Sequence, residues 1–442
     1  MKTSSCFREF AKYTSLNVMG MIGLSCYILA DTFFVSMGLG TNGLAALNLA
    51  IPVYSFIHGS GLMIGMGGGT KYAIRKSQQD HKAANRTFTN AVYLASLFAV
   101  LFVLAGLFLP GTIASLFGAE GDVLDMSKTY LQVILLFAPA FLMNNVLLCF
   151  VRNDGAPQLS MAAMIGGSLS NIVLDWVFIF PCQMGIFGAA FATSLAPIIS
   201  MLILSPHFIQ KKNGFRFTKC RAEGKFAAGI LSSGVPSLVT EVSSGVVIIV
   251  FNAIIMSLEG NVGVAAYGVI ANLSLVVIAV YTGIAQGIQP IISRYYGLKN
   301  LKGIRATLRY ALTAMLLISA ALYAAVFFWA PEIASVFNSE QNPLLQEIAA
   351  EGLRLYFTAC PFAGFNVIIS MYFTSLENPR PAHILSLLRG FLIIIPMAFL
   401  LSHFWNIQGV WCAFPATELL VTAIGVICFT SVSKKQKSLS TE

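Results

Sequence analysis

Asp31 and Asp175 stand deep inside long apolar stretches of a chain whose other acids mostly lie near polar segments. Each sits ~17–19 residues from the start of its expected helix, about 25–28 Å at the α-helical rise. A carboxylate at membrane depth costs at least ~2.5–3.5 kcal/mol, so its presence points to a function. Asn171 and Asp175 are four residues apart and share one helix face. Thr193 follows in Gly188-Ala-Ala-Phe-Ala-Thr193, where small residues let neighbouring helices approach. Asp31, Asn171, Asp175 and Thr193 present only oxygen ligands, which suit a proton or a hard cation rather than a soft metal. Two carboxylates close together at that depth resist double ionisation, so a proton shared between them is the expected chemistry.

The elements that must position these groups are transmembrane helices. The chain has 442 residues, 57% hydrophobic and 10% charged, with a mean hydropathy of +0.78. A soluble domain carries roughly 25% charged residues. The apolar runs are about 20 residues long and lack the alternating ~10-residue pattern of barrel strands. The fold class is therefore an all-α polytopic membrane protein. Twelve spans are expected near 14–37, 46–70, 88–110, 130–151, 158–181, 186–206, 229–257, 264–291, 307–330, 351–376, 383–404 and 408–431. The basic start (Lys2, Arg8, Lys12) runs straight into span 1 with no small-residue cleavage site, which predicts a retained anchor. The eight cysteines are scattered, without metal or redox spacing, and read as packing residues. The net charge of +9 resides in loops and carries no nucleic-acid signal.

Lys and Arg cluster in alternate connections: Lys71 to Arg86, Lys211 to Lys225 and Arg294 to Arg309, with Arg152 and Arg380 marking two further loops. Lys434, Lys435 and Lys437 end the chain on the same side. The other loops hold acids, among them Glu120, Asp122, Asp125, Glu259, Glu332, Glu340 and Glu347. The positive-inside rule then puts both termini in the cytoplasm. The chain also repeats itself: Ile113-Ala-Ser-Leu-Phe117 recurs as Ile333-Ala-Ser-Val-Phe337, at an offset of 220. Leu44-Ala-Ala, Pro139, Pro157 and Gly188 find partners at Val264-Ala-Ala, Pro361, Pro381 and Gly409. An even number of spans per copy makes this a parallel repeat of two six-helix lobes, suited to alternating access. The expected division is an N-lobe over 1–206, a cytoplasmic linker over 207–228 and a C-lobe with a basic tail over 229–442.

Other polar residues at depth are fewer. Glu241 lies near mid-membrane, five residues after Pro236, and is a candidate for substrate cations or protons. His58, near the middle of span 2, is a candidate cleft residue able to titrate near neutral pH. Tyr27, Phe34, Tyr54, Phe150 and Met256 are candidates for lining a cleft for flat cations through ring faces and soft sulfur. Arg389 and Glu418, in neighbouring spans, are expected to form a buried ion pair, as membrane depth demands of opposite charges. Arg354 is expected near the outer interface beside Glu347 and Glu351. Gly67-Gly68-Gly69 is no phosphate loop, because Thr70-Lys71 reverses the order that motif needs. Without a nucleotide motor, the energy source must be an ion gradient.

Taken together, these residues resemble the multidrug and toxic compound extrusion (MATE) transporters, nearest the DinF-like branch. The resemblance covers roughly Tyr13 to Thr430. It is carried by Asp31 with Gly38-Leu-Gly40 and Leu44-Ala-Ala-Leu, by Asn171 to Asp175, and by Gly185-Ile-Phe-Gly-Ala-Ala-Phe-Ala-Thr193. In the second half it is carried by Gly234-Val-Pro-Ser, Glu241 and Gly287-Ile-Gln-Pro290 through Tyr296-Gly297. The resemblance implies two lobes that face outward and inward in turn and export amphipathic organic cations against inward H+ or Na+ flow. It places the first-lobe cation site on Asp31, Asn171, Asp175 and Thr193, and the second-lobe acid on Glu241. No cofactor beyond the coupling ion is expected, and the chain is expected to act as a monomer in a bacterial-type inner (plasma) membrane. Three departures stand out. Leu16 replaces a proline common in span 1, leaving Gly20 and Gly23 as the residues that permit a bend. Span 10 has no acid in its core. Arg354, Arg389 and Glu418 lie in or near second-lobe spans.

The competing function is a flippase for lipid-linked saccharides, which would need a cationic cleft for pyrophosphate. An integral-membrane prenyltransferase would want clustered aspartates at an aqueous interface, and Asn171-x-x-x-Asp175 is a poor substitute.

Overall fold

The computed structural model describes residues 3–221, 223–338 and 341–438. Lys2 and Glu340 lie outside the described residues, as do the side chains of Lys434, Lys435 and Lys437. Among the described residues every regular element is helical. The first half holds α1 (Thr3–Ser77), α2 (His81–Phe108), the short α3 (Pro110–Leu116), α4 (Gly121–Leu136), α5 (Ala138–Asn153), α6 (Pro157–Ile179) and α7 (Gly185–Ile209). The second holds α8 (Gly224–Gly297), α9 (Leu301–Phe328), the short α10 (Ala330–Phe337), α11 (Pro343–Tyr356), α12 (Cys360–Ser375), α13 (Pro379–Leu387) and α14 (Ile394–Ser438).

At 1.5 Å per residue, α1, α8 and α14 are far too long for a single ~30 Å crossing. α1 and α8 are each two passes joined at a break, and α14 joins the end of the pass that begins in α13 to the whole of the next. The break in α1 is Gly40 (φ 65°, ψ −157°), and in α8 it is Gly260 (φ 60°, ψ −150°). In α14 it falls at Trp405 and Asn406, the latter with φ 49°. Backbone at φ near +60° with extended ψ is open almost only to glycine, which accounts for Gly40 and Gly260. The helices α4 and α5 meet at 48° and form one bent pass. Twelve passes in two sets of six result.

Two expected boundaries are corrected, and a third span is irregular inside. Span 4, expected over 130–151 as one rod, begins at Gly121 and bends between Leu136 and Ala138. Pro139 stands in the first turn of α5, where its missing amide costs nothing but prevents continuation from α4. Span 10, expected over 351–376, begins at Pro343 and passes through a 3₁₀ turn at Phe357–Ala359 just before Pro361. Span 11 carries a π-helical turn at Leu388–Leu392, which includes Arg389.

The repeat read from the sequence recurs in backbone geometry. Gly40 and Gly260 are 220 residues apart, as are the turn residues Gln79 (φ 62°) and Lys299 (φ 55°). Pro139 and Pro361 both follow a break, and the two Ile-Ala-Ser-x-Phe segments form α3 and α10, with Ala114 and Ala334 fully buried. Each lobe has its own apolar core. Phe10 and Tyr13, at the start of α1, join the core of the second lobe.

The lobes meet most closely toward their basic ends. A Cβ at Gly67 would collide with the Ile230 carbonyl, and one at Gly234 with the Met63 carbonyl, so only glycine lets these backbones cross. Lys71 Nζ pairs with Glu377 Oε1 at 2.9 Å, and Arg294 pairs with Glu9. Asn153 and Gln289 exchange amide hydrogen bonds between the lobes, and Gln289 also donates to Thr70 Oγ1 at 3.0 Å. The connection between α7 and α8 is docked on the first lobe. Phe215 is fully buried among Tyr72, Phe88, Phe150 and Phe208. The amides of Arg216, Thr218 and Glu223 donate to Asn85, Thr89 and Asn90 along α2.

Candidate functional site

Asp31, Asn171, Asp175 and Thr193 converge inside the first lobe, and all four are buried. The i, i+4 spacing puts Asn171 and Asp175 on the inner face of α6, and Thr193 comes from the glycine- and alanine-rich start of α7. Asn171 lies 3.3 Å from the Thr193 hydroxyl; with its amide turned to satisfy both neighbours, its Nδ2 donates to Asp175 Oδ2 at 3.0 Å and its Oδ1 accepts from the Thr193 amide at 3.2 Å. The Asp31 and Asp175 side chains are neighbours. One oxygen of each, Oδ1, has no partner. Among the described residues no lysine, arginine or histidine pairs with either acid. Buried carboxylates are normally satisfied by donors or opposite charge. Here a single proton or a small hard cation between the two acids would satisfy both.

A cavity of about 780 Å³ lies beside this pair, between the lobes. Tyr27 and Thr193 form part of its wall, so the acids stand behind the wall rather than in the cavity. Tyr27, one helical turn before Asp31, shares a hydrogen bond with Tyr54 at 2.6 Å. Tyr54 stacks on His58, with ring centroids 5.8 Å apart and 11° between planes. His58 Nδ1 contacts Asn145 Nδ2 at 3.3 Å. Glu241 from the second lobe faces the same space and also lines a neighbouring cavity of about 710 Å³. That second cavity reaches Arg389, whose Nε donates to Glu418 Oε1 at 2.7 Å. Asn366 Nδ2 donates to the other Glu418 oxygen at 2.7 Å, so the buried carboxylate is satisfied on both oxygens.

Tyr27, Tyr54, His58 and Glu241 thus share one cavity. Met256 does not: it is 50% exposed, near the Gly260 break. Phe150 is also elsewhere, fully buried against Tyr72, Phe88 and Phe215, and Phe34 packs on Phe180. Arg354 stacks over the Phe327 ring and donates to its carbonyl, rather than to Glu347 or Glu351. Gly67 to Gly69 are helical and buried, pressed on Ile230, Phe150 and Asn153.

Sequence reasoning missed Arg152. Taken as a marker of the 4–5 loop, it is 2% exposed and lines the central cavity. It occupies the penultimate position of α5, and helical side chains lean back toward the N-terminus, which carries a long guanidinium inward. Its face was legible: Asn145, Cys149 and Arg152 fall at i, i+4 and i+7, and all three line the cavity. Gln286 and Asn144, also on the wall, carried no signal beyond being amides in apolar runs.

Two six-pass lobes around a central cavity, with an acid pair behind its wall, define a membrane transporter. The MatE family model matches the chain twice, over residues 18–177 and 236–400, once in each lobe. The chain belongs to that family, whose members are transporters and not enzymes. It is 23% identical over 429 residues to the multidrug export protein MepA of Staphylococcus saprophyticus, covering 96% of this chain and 94% of that one. The MepA of Staphylococcus aureus strain MSSA476 matches to the same extent. Among solved structures, a MATE bound to MaL6 superposes with a TM-score of 0.92 at 24% identity, covering 97% of each chain. A Pyrococcus furiosus transporter of the MOP superfamily, described as having a binding pocket of reverse polarity, gives 0.90 at 24%, covering 97% of this chain and 96% of that one. A multidrug resistance MATE transporter in an outward-facing conformation gives the same values.

Proposed function

We propose that this chain is a secondary active multidrug exporter. It moves amphipathic organic cations outward in exchange for H+ or Na+, by alternating access of its two lobes in the inner (plasma) membrane of a bacterial-type cell. The positive-inside rule makes the basic ends, and both termini, cytoplasmic. The observation that carries the proposal is the pair Asp31 and Asp175: buried, mutually adjacent, without a counter-cation and each with an unpartnered oxygen. The curated relatives are multidrug export proteins by name, which supports the substrate class.

In this mechanism the rings of Tyr27, Tyr54 and His58 hold a flat cation by its face, and Glu241 supplies opposite charge. A proton or sodium ion at the acid pair changes the donor that Asp175 demands of Asn171. Asn171 in turn holds the Thr193 amide at the cavity wall. Ion and substrate thereby acquire different affinities for the two lobe arrangements, the condition for exchange. The close crossing of Gly67 and Gly234 at the cytoplasmic side fits an outward-facing arrangement. The two lobes of one chain form the whole pathway, so a monomer suffices. A lipid-linked saccharide flippase would need clustered cations for pyrophosphate, and the central cavity offers one arginine opposed by Glu241.

Inside-out vesicles with imposed proton or sodium gradients and ethidium as substrate test the proposal. Gradient-driven uptake into the vesicles is expected. Response to neither gradient overturns it.

A further inference from the structure

Glu241 is an anion without a cation, and Arg389 is a cation with donors to spare. Both line the second cavity. Among the described residues no lysine, arginine or histidine pairs with Glu241, which is half-buried where α8 presses on Gly59 of α1. Arg389 donates to Glu418 only through Nε, at 2.7 Å. Its side chain is 15% exposed, and its two terminal amino groups have no acceptor among the described residues yet are not occluded. Asn366 holds the other Glu418 oxygen at 2.7 Å, so Glu418 keeps a donor when the arginine leaves. His383 Nε2 donates to the Ser232 carbonyl at 2.6 Å, and a Cβ on Gly390 would lie 2.6 Å from Ser243. Spans 7 and 11 therefore run side by side in the same direction, with Arg389 level with Glu241. Arg389 also lies in the π-helical turn Leu388–Leu392, a rare element that recurs at functional sites.

Alternating access shuts the space between the lobes twice per cycle, once with substrate and once without. While that space is open, water solvates the Glu241 carboxylate. On the loaded passage the substrate cation neutralises it. On the empty passage the closing lobes strip its water, and an unpaired carboxylate at that depth is costly. We propose that Arg389 supplies the missing charge: as the empty cavity shuts it passes from Glu418 to Glu241, and an arriving substrate cation sends it back. Arg389 is thus a positioning residue for the return half of the cycle. This inference rests on Glu241 facing the substrate cation, as proposed above, and goes beyond that reading by assigning the group that resets the empty transporter.

The test separates exchange from net transport, using radiolabelled tetraphenylphosphonium and the purified full-length protein in liposomes. In counterflow, labelled cation enters as unlabelled cation leaves, so both passages are loaded. Gradient-driven net transport includes the empty passage. The double change Arg389→Gln with Glu418→Gln removes the arginine without leaving Glu418 charged. It is expected to keep counterflow near the wild-type rate and to slow net transport at least ~10-fold, because a buried charge loses its partner. Adding Glu241→Gln removes the charge that needs the arginine, and net transport then matches that of Glu241→Gln alone. A triple variant slower than Glu241→Gln alone overturns the inference. So do counterflow and net transport that fall together, or a double variant in which neither falls. Should the double change fail to fold, Arg389→Met with Glu418→Leu is judged by the same ratio. A wild type with neither counterflow nor net transport overturns the exporter reading, and this inference with it.

Discussion

Asn153 and Gln289 hold each other by two reciprocal amide hydrogen bonds across the lobes, at 3.0 and 3.1 Å. Both residues are buried, and Gln289 reaches on to Thr70 and Ser293. Removing the Asn153 amide leaves the buried Gln289 Oε1 without its donor, at a cost of about 1–3 kcal/mol. Asn153→Ala should therefore favour opening of the cytoplasmic side. Cys149, buried one helical turn away and free of any disulfide, reports it. Labelling of Cys149 by a membrane-impermeant thiol reagent in inside-out vesicles should rise about tenfold, the factor that corresponds to ~1.4 kcal/mol. Unchanged labelling would show that this pair does not seal the gate.

Asp154 ties the α5–α6 turn to the α7–α8 connection. It accepts from Tyr72 at 2.5 Å and from the Gly214 amide at 2.7 Å, and it contacts Lys76 and His207. Burial works to raise its pKa, but hydrogen bonds from Lys76, Tyr72 and the Gly214 amide outweigh it and hold the carboxyl below its usual range. A depressed folded pKa gives stability that is full above the unfolded value, ~3.9, and is lost as pH falls through the folded value. The melting temperature difference between wild type and Asp154→Asn should be large at pH 7 and shrink below about pH 4. A pH-independent difference would assign the effect to shape rather than charge.

Glu418 is satisfied by Arg389 and Asn366 together. Truncation to Ala leaves a buried guanidinium without its partner, which costs roughly 3–5 kcal/mol. Replacing both members with Met and Leu should cost far less than Glu418→Ala alone. Thermal unfolding in detergent ranks the variants. Equal losses for the single and the double change would mean that the stranded guanidinium is not the source of the cost.

Gly40 and Gly260 adopt nearly the same glycine-only conformation, and a Cβ added at either would meet nothing within 4 Å. The cost of Ala at either site is thus backbone strain alone, about 1–3 kcal/mol. Gly40→Ala and Gly260→Ala should lower the melting temperature by similar amounts. Clearly unequal drops would break the equivalence of the two lobes at these turns.

The helices and the duplication were legible because apolar length and proline or glycine position survive in each copy, as Pro139 and Pro361 show. Asn171 and Asp175 were legible because their four-residue spacing leaves one arrangement on a helix. Met256 was misplaced because an apolar residue in a membrane span satisfies lipid and cavity equally well, and only packing decides which it faces. Arg152 was misplaced because a helix end shifts by a residue or two, and a long side chain leans back by a further turn. The bend between α4 and α5 escaped notice because Pro139 begins a helix as readily as it interrupts one.

The central claim is that Asp31 and Asp175 form one coupling site. It is tested most directly by ethidium uptake into inside-out vesicles under an imposed proton or sodium gradient, for wild type, Asp31→Asn and Asp175→Asn. Gradient-driven uptake is predicted in the wild type and its loss in each variant, with the variants still folded by thermal melting. Wild-type gradient-driven uptake in both variants would contradict the claim.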